Sequence, residues 1–404
     1  MTTTRRIGVL GATGIGVGSM LGSGVFSDLW EPVLALGDWY LAPVAIAAVV
    51  ALANAMSTSQ LASRHPIAGG VYSYGRLELG HSWGVLAGVA FLVGKTASVA
   101  VAALVMGAYL VPAAPQAVAT VAVLLAWGLN SRGITRTAGA ATSIASIVTV
   151  VLVVLCAAAY SEASAGFGWF ASADGVASTS PGAVPAVLAG ASAVFFAFAG
   201  YGRVATLGEE VRTPERTIPR AVLAALAVVV VVYAMVAAAL RPFFGPMHGQ
   251  GGQAASPQMP DAPLEALASL VGMPSWPLAA AAALSAGGAM LAVMAGAGRT
   301  AMAMAREGDL PRTLAHQGRS GAPWRAEAVV AVVAVALVWT VGVSLLLVSV
   351  ASILVYYGVA NVAAIRQRRA GRTASLRAPV WLSGLGLVGC LVLGGAALAG
   401  VIGA

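Results

Sequence analysis

The chain has 404 residues, of which 59% are hydrophobic and 9% are charged. Soluble domains carry about 25% charged residues, so the composition excludes an ordinary soluble protein and predicts an all-α polytopic membrane protein. The net charge of +8 would suit nucleic-acid binding, but the arginines lie in the loops of one membrane face and therefore indicate topology.

Eleven charge-poor apolar stretches follow one another along the chain, and we predict a transmembrane helix for each. These spans 1 to 11 lie near 10–33, 41–62, 84–112, 116–130, 139–160, 185–208, 219–240, 276–303, 326–344, 347–366 and 379–402. The charge-free stretch from Ala328 to Ile365 is too long for one helix and is divided near Gly342.

The arginines orient these spans. With the N-terminus in the cytoplasm, only Arg241 falls outside, and eleven spans then place the C-terminus outside. The expected location is therefore the cell (cytoplasmic) membrane, with a multi-pass topology. The basic start of the chain is similar to a signal peptide, but its apolar run continues without a good cleavage site, so it is interpreted as span 1.

Spans 1 and 6 each contain an interruption at mid-depth. Span 1 has Gly22, Ser23 and Gly24, and span 6 has Ala-Gly-Tyr-Gly at 199–202. Irregular backbone inside a bilayer is tolerated only where it lines a cavity or is buried in protein. Close helix packing through small residues is the alternative, and we prefer it for the glycines between 11 and 18.

Two interruptions five spans apart predict an inverted-repeat transporter. The repeats would cover about 8–160 and 185–366, and span 11, at about 379–402, would be an additional helix of the same domain, 1–404.

Four motifs resemble those of one transporter family. They are GSMLGSGVF (18–26), HPIAGGVYSYGR (65–76), FFAFAGYGRVATLGEEVRTPERTIPRA (195–221) and AMAREGDLP (303–311). Together they are similar to the amino acid–polyamine–organocation permeases. The resemblance implies a LeuT-type fold with a 5+5 inverted repeat and broken helices 1 and 6, and secondary transport of amino acids by alternating access. Many members have twelve spans, while some exporters of methionine and branched-chain amino acids are as short as this chain.

The resemblance also implies where an amino acid binds. The amides of Gly22, Ser23 and Gly24 would hold its carboxylate, and free N–H groups favour an anion on physical grounds as well. Carbonyl oxygens in span 6 would accept its ammonium group. The span 6 residues assigned to the site are Phe196, Ala199, Gly200 and Tyr201.

Several aromatic residues are expected near this site. Phe196 matches the family's aromatic gate, with core packing as the alternative. Phe91 and Tyr356 or Tyr357 are expected to border the pocket, with Tyr356 at a gate. The family often has an acidic residue where this chain has Gly202, which puts a gate built on that carboxylate in doubt.

Charged residues after the span 6 interruption are given structural roles. Arg203 is expected to extend towards the cytoplasm or to pair with Glu209 or Glu210. The two glutamates are expected to pair with loop arginines and to stabilise the inner gate.

Lys95 in span 3 is the one lysine among 22 basic residues, so the other 21 are arginines. Sodium-independent members of the family often carry a lysine in helix 5, where this chain has Val148. A charged group at mid-membrane costs about 2.5–3.5 kcal/mol and usually faces a cavity or a partner. Lysine can lose its proton when buried, whereas arginine stays charged.

Three interpretations of Lys95 remain open. It is a proton-coupling group, a fixed cation paired with Asp28, or a direct contact to the substrate. All three disfavour arginine or a polyamine as substrate. Ser285 in span 8 offers the alternative of a sodium site, but we prefer the interpretation that its hydroxyl bonds to its own helix.

A secondary transporter fits the sequence better than other classes. The four histidines lie in or beside loops, and Cys156 and Cys390 lie in apolar spans, so we expect no enzyme activity, metal site or cofactor. The sequence contains no P-loop motif. We expect a proton-coupled permease for neutral or small amino acids; the alternatives are an exporter or exchanger of the neutral or branched-chain type and a sodium symporter. The expected partners are the amino acid, protons and membrane lipid but not nucleic acid, and the chain would be a monomer or weak homodimer.

Overall fold

The computed structural model describes most of the chain. The described residues are 7–34, 36, 39–65, 67, 69–133, 138–166, 183–205, 211–244, 260–318, 321–340, 344–371 and 376–403. Within these ranges the protein is all-α, and a single bridge between Ile7 and Val211 is the only β-type pairing. The predicted fold class, an all-α polytopic membrane protein, is confirmed.

Fifteen α-helices form the described part of the chain. They are α1 Val9–Met20, α2 Glu31–Leu34, α3 Leu41–Arg64, α4 Val71–Leu79, α5 His81–Leu110, α6 Pro115–Ser131, α7 Ala138–Gly166, α8 Ala183–Phe198, α9 Gly202–Ala205, α10 Pro214–Phe244, α11 Pro263–Leu270, α12 Trp276–Arg306, α13 Trp324–Val338, α14 Leu345–Arg369 and α15 Val380–Gly403.

Nine helical segments in the described ranges are long and apolar enough to cross a membrane. Two more predicted spans correspond to shorter helices, α6 with 17 residues and α13 with 15. The predicted division near Gly342 agrees with the end of α13 at Val338 and the start of α14 at Leu345. Predicted boundaries differ by several residues elsewhere, since α7 and α10 extend beyond their apolar stretches.

Both predicted helix interruptions are present. α1 ends at Met20 and is followed by an irregular segment and a 3₁₀ turn, Gly24–Phe26. α8 ends at Phe198 and passes through a 3₁₀ turn, Ala199–Tyr201, into α9. We call these segments the α1 break and the α8 break.

Helix packing brings the two breaks together at the centre of the protein. α1 packs against α7 and α10 and also contacts the 3₁₀ turn of the α8 break. α5 packs against α12 and α14, and α12 also contacts α1. The two breaks therefore face a space whose other walls are α5 and α12.

Candidate functional site

A cavity of about 40 Å³ lies between the two breaks. We call it the central cavity. Its lining comes from α1 with the α1 break, α5, α8 with the α8 break, and α12, in that order: Ser19, Met20, Gly22, Ser23, Gly24; Lys95, Ser98, Ala102; Phe196, Ala197, Ala199, Gly200; Ala289, Val293. Most of the residues predicted to bind substrate are thus gathered around one space.

The α1 break presents free hydrogen-bond donors to the central cavity. The amide N–H groups of Gly22 and Ser23 donate to no group that the structure describes. Both residues are buried and line the cavity. Because a buried N–H without an acceptor is costly, these donors favour a ligand that carries an anionic oxygen.

A tyrosine from α10 ties the two breaks together. The buried Tyr233 hydroxyl donates to the Met20 carbonyl oxygen at 2.6 Å and lies 3.3 Å from the Ala197 carbonyl oxygen. Its ring also packs edge-on against Trp30 and Phe198. Sequence reasoning missed this residue, although a single hydroxyl in the apolar run of α10 was a usable signal.

We expect Tyr233→Phe to lower the free energy of unfolding by about 1–3 kcal/mol, because it leaves the buried Met20 carbonyl without its donor. Uptake should slow several-fold, since the breaks lose their shared anchor. The measurements are thermal denaturation in detergent and initial uptake in proteoliposomes. Tyr40→Phe is the matched control, because the described structure gives the Tyr40 hydroxyl no hydrogen bond. Equal behaviour of the two variants would contradict this role.

Ser285 also supports the α1 break. Its hydroxyl donates to the Leu21 carbonyl oxygen at 3.0 Å, across 264 positions of sequence. The interpretation in which this hydroxyl bonds to its own helix is therefore wrong. The contact places a hydroxyl of α12 and a carbonyl oxygen that follows α1 3.0 Å from each other, so both oxygens lie where the sodium alternative would need them.

Ser285→Ala should lower the free energy of unfolding by about 1 kcal/mol and leave uptake in sodium-free buffer largely intact. Thermal denaturation and uptake with and without sodium check this. Ser269→Ala is the control, because that exposed hydroxyl bonds within its own helix to the Glu265 carbonyl oxygen. If uptake by the Ser285 variant were lost and sodium restored it, the structural role would be refuted.

Lys95 lines the central cavity and has no anionic partner among the residues that the structure describes. No hydrogen bond or ion pair joins its Nζ to any residue that the structure describes. Its one described polar interaction is with the ring of Phe91, whose centroid lies 5.9 Å from Nζ. The side chain of Asp28, the predicted partner, lies outside the described structure.

Phe91 and Tyr356 are not among the residues that line the central cavity, and the ring of Phe91 lies beside Lys95. Their ring centroids are 4.8 Å apart. The Tyr356 hydroxyl accepts a hydrogen bond from the Val71 amide at 3.1 Å. It also sits where a Cβ of Gly70 would project, and Gly70 has a φ of +58°. The Gly-Gly motif thus allows α4 to approach this aromatic pair.

The remaining predicted site residues are placed as follows. Phe196, Ala199 and Gly200 line the cavity, and the Ala199 carbonyl oxygen lies 3.4 Å from the Tyr357 hydroxyl. Tyr201 is not in the lining; its ring stacks on Tyr357 at 5.0 Å.

The predicted charges after the α8 break are only partly described. Arg203 lies in α9 and is half-buried. Glu209 and Glu210 fall outside the described residues, so their predicted pairing remains a prediction.

A polar cluster joins two of the quoted motifs away from the cavity. Asp309 accepts hydrogen bonds from Tyr72 at 2.6 Å and from Arg76 at 3.0 Å, and Arg76 also pairs with Glu307 at 3.3 Å. Burial and the neighbouring Asp309 carboxylate raise the pKa of Tyr72, so its hydroxyl remains a donor. This cluster fixes α4 to the segment after α12.

Comparisons with known sequences identify the family of the chain. The profile of the amino acid permease family matches residues 7–401. The chain belongs to the amino acid permease family. It is 42% identical over 403 residues to an uncharacterized transporter of Mycobacterium tuberculosis, covering 96% of this chain and 85% of the relative.

Two more distant relatives have names that include a substrate. A vacuolar cationic amino acid transporter of Arabidopsis thaliana is 24% identical over 400 residues, covering 88% of this chain and 62% of the relative. A serine/threonine exchanger of Bacillus subtilis is 24% identical over 250 residues, covering 58% and 54%. This permease is therefore a transporter and not an enzyme.

Proposed function

We propose that this permease is a proton-coupled secondary transporter that binds its amino acid in the central cavity. The observation that carries the proposal is that Lys95 and the Gly22 and Ser23 amides line one cavity, and that none of the three has a hydrogen-bond or ion-pair partner among the described residues. The amides suit the substrate carboxylate, and the carbonyl oxygens of the α8 break suit its ammonium group.

Lys95 is the proposed proton-binding group. A lysine amine at the cavity wall can alternate between a charged and a neutral form, whereas an arginine would stay charged. The lack of a fixed anionic partner among the described residues leaves both forms accessible. A proton taken up with the amino acid would then be released on the other side.

The proposed transport cycle is alternating access in a LeuT-type inverted repeat. The repeats would be about 8–160 and 185–366, with the helix at about 379–402 added to them. The α1 break and the α8 break, which lie in predicted spans 1 and 6, support this arrangement. The arginine distribution supports a cytoplasmic N-terminus in the cytoplasmic membrane.

Proton coupling is proposed because Lys95 offers a titratable group in the cavity lining. Sodium coupling stays the alternative, since the Ser285 hydroxyl and the Leu21 carbonyl oxygen lie 3.0 Å apart and could both serve as ligands. Exchange or export is a second candidate, since one relative is named a serine/threonine exchanger. The relatives' names differ in substrate, so they do not by themselves choose an amino acid for this chain.

The test is uptake of a labelled amino-acid mixture into proteoliposomes in sodium-free buffer, with and without an inward proton gradient. Accumulation that a protonophore abolishes would support proton-driven transport. Uptake that requires unlabelled amino acid inside the vesicles would favour exchange, and uptake restored only by sodium would refute proton coupling. No uptake under any of these conditions would refute the proposed function.

A further inference from the structure

Apart from Lys95, the walls that α5 and α12 give to the central cavity consist of short side chains. α5 contributes Ser98 and Ala102, and α12 contributes Ala289 and Val293. Ser98 is held in place by Ser349 of α14, with 3.2 Å between the hydroxyl oxygens. The α1 break and the α8 break would bind the carboxylate and the ammonium group of the substrate. Only the space between α5 and α12 then remains for its side chain.

The size of that space limits the substrate. A volume of about 40 Å³ holds about three water molecules, which is the range of glycine, alanine or serine. A longer side chain would have to reach beyond this lining or displace Phe196, which is only 7% exposed and packed in the core. The cavity therefore favours side chains no longer than that of serine.

The charge of the lining limits the substrate further. Lys95 is the one charged side chain in the lining that the structure describes, and no described carboxylate compensates it. A cationic side chain of the substrate in the same small cavity would lie close to the ammonium group of Lys95, with little water between the two charges. Like charges at such distances repel strongly in a low-dielectric interior.

We propose that the substrates are short amino acids with uncharged side chains, and that Lys95 is the residue that rejects cationic ones. This inference rests on the proposed function, since it assumes that the central cavity is the amino-acid site. To the expected class of neutral or small amino acids it adds the size limit and the residue that sets the charge limit.

The experiment is displacement of labelled alanine from the purified full-length protein in detergent. Size is tested with alanine, 2-aminobutyrate, norvaline and norleucine, which lengthen by one methylene at a time. Charge is tested with homoserine and 2,4-diaminobutyrate, which both exceed the serine side chain by one methylene and differ from each other only in a terminal hydroxyl or ammonium group. The variants are Lys95→Gln and, as control, Arg132→Gln, which removes an exposed charge at the end of α6.

We expect apparent affinity to fall with each methylene, and 2,4-diaminobutyrate to bind about 100-fold more weakly than homoserine, because two cations would share one cavity. In Lys95→Gln that difference should shrink to less than about tenfold, and Arg132→Gln should leave it unchanged. Equal binding of homoserine and 2,4-diaminobutyrate by the natural protein would overturn the charge limit even if the variant failed to fold.

Failure of this inference can be told apart from failure of the proposed function. Tighter binding of norleucine or arginine than of alanine would overturn the substrate class and leave amino-acid transport standing. If no amino acid bound and none was taken up, both the inference and the proposed function would fail.

Discussion

Gly200→Ala should nearly abolish transport. Gly200 lies in the α8 break directly against the last turn of α1, and a Cβ there would overlap the Ser19 carbonyl group and come within 2.7 Å of the Met20 amide nitrogen. These are backbone atoms, so no side-chain rotation relieves the overlap. Overpacking of this kind costs about 1–3 kcal/mol or more, and we expect uptake to fall at least about tenfold as the breaks are forced apart.

The measurement is initial uptake in proteoliposomes, normalised to protein that elutes as a single species in size-exclusion chromatography. Gly296→Ala is the matched control, because a Cβ at that position of α12 would meet no atom within 4 Å. The control should transport normally, since alanine is a better helix former than glycine. Normal uptake by Gly200→Ala would show that the breaks separate freely and that their close contact is unimportant.

The location of the breaks could be predicted because glycine leaves a local signal. Gly22, Gly24 and Gly200 permit an irregular backbone, and their position at mid-span pointed to a cavity. Lysine at position 95 was equally visible, since one lysine among arginines is a compositional outlier. These features require only the residue type and its place within a span.

The groups that stabilise the breaks could not be predicted in the same way. Tyr233 reaches Met20 across 213 positions and Ser285 reaches Leu21 across 264. Which hydroxyl meets which carbonyl depends on the rotation and register of packed helices, and apolar transmembrane helices carry little pattern that fixes rotation. For Ser285 this led to the choice of the wrong acceptor.

The last helix shows the same difficulty. The sequence suggested only that span 11 was added to a repeat, but α15 is connected to the core by buried polar contacts. Ser383 lies 2.9 Å from Ser57 of α3, and the Cys390 thiol donates to Asn54 at 3.4 Å. Asn54 also accepts from Asn361 of α14 at 2.6 Å. A cysteine that seemed inert in the sequence thus belongs to a network joining three helices.

Lys95→Met and Lys95→Arg are expected to lose proton-driven accumulation by different routes. Methionine has a similar length but never carries a charge, whereas arginine never loses one. If Lys95 carries the coupled proton, neither variant can alternate between its two forms. Steady-state accumulation driven by a proton gradient should fall at least about tenfold in both, and the dependence of uptake on pH should flatten.

Measuring exchange distinguishes a coupling role of Lys95 from a purely structural one. A transporter that cannot bind the coupled proton can still exchange labelled for unlabelled amino acid if its cavity is intact, so Lys95→Met should retain exchange while losing accumulation. Loss of exchange as well as accumulation, together with a lowered denaturation temperature, would make Lys95 a structural cation. Unchanged accumulation and pH dependence in both variants would refute its role in coupling.

Because Lys95 has no described anionic partner and faces the space where the amino acid is proposed to bind, its charge would respond directly to the arrival of substrate. Such a response links the proton to the amino acid without a chain of intermediate residues.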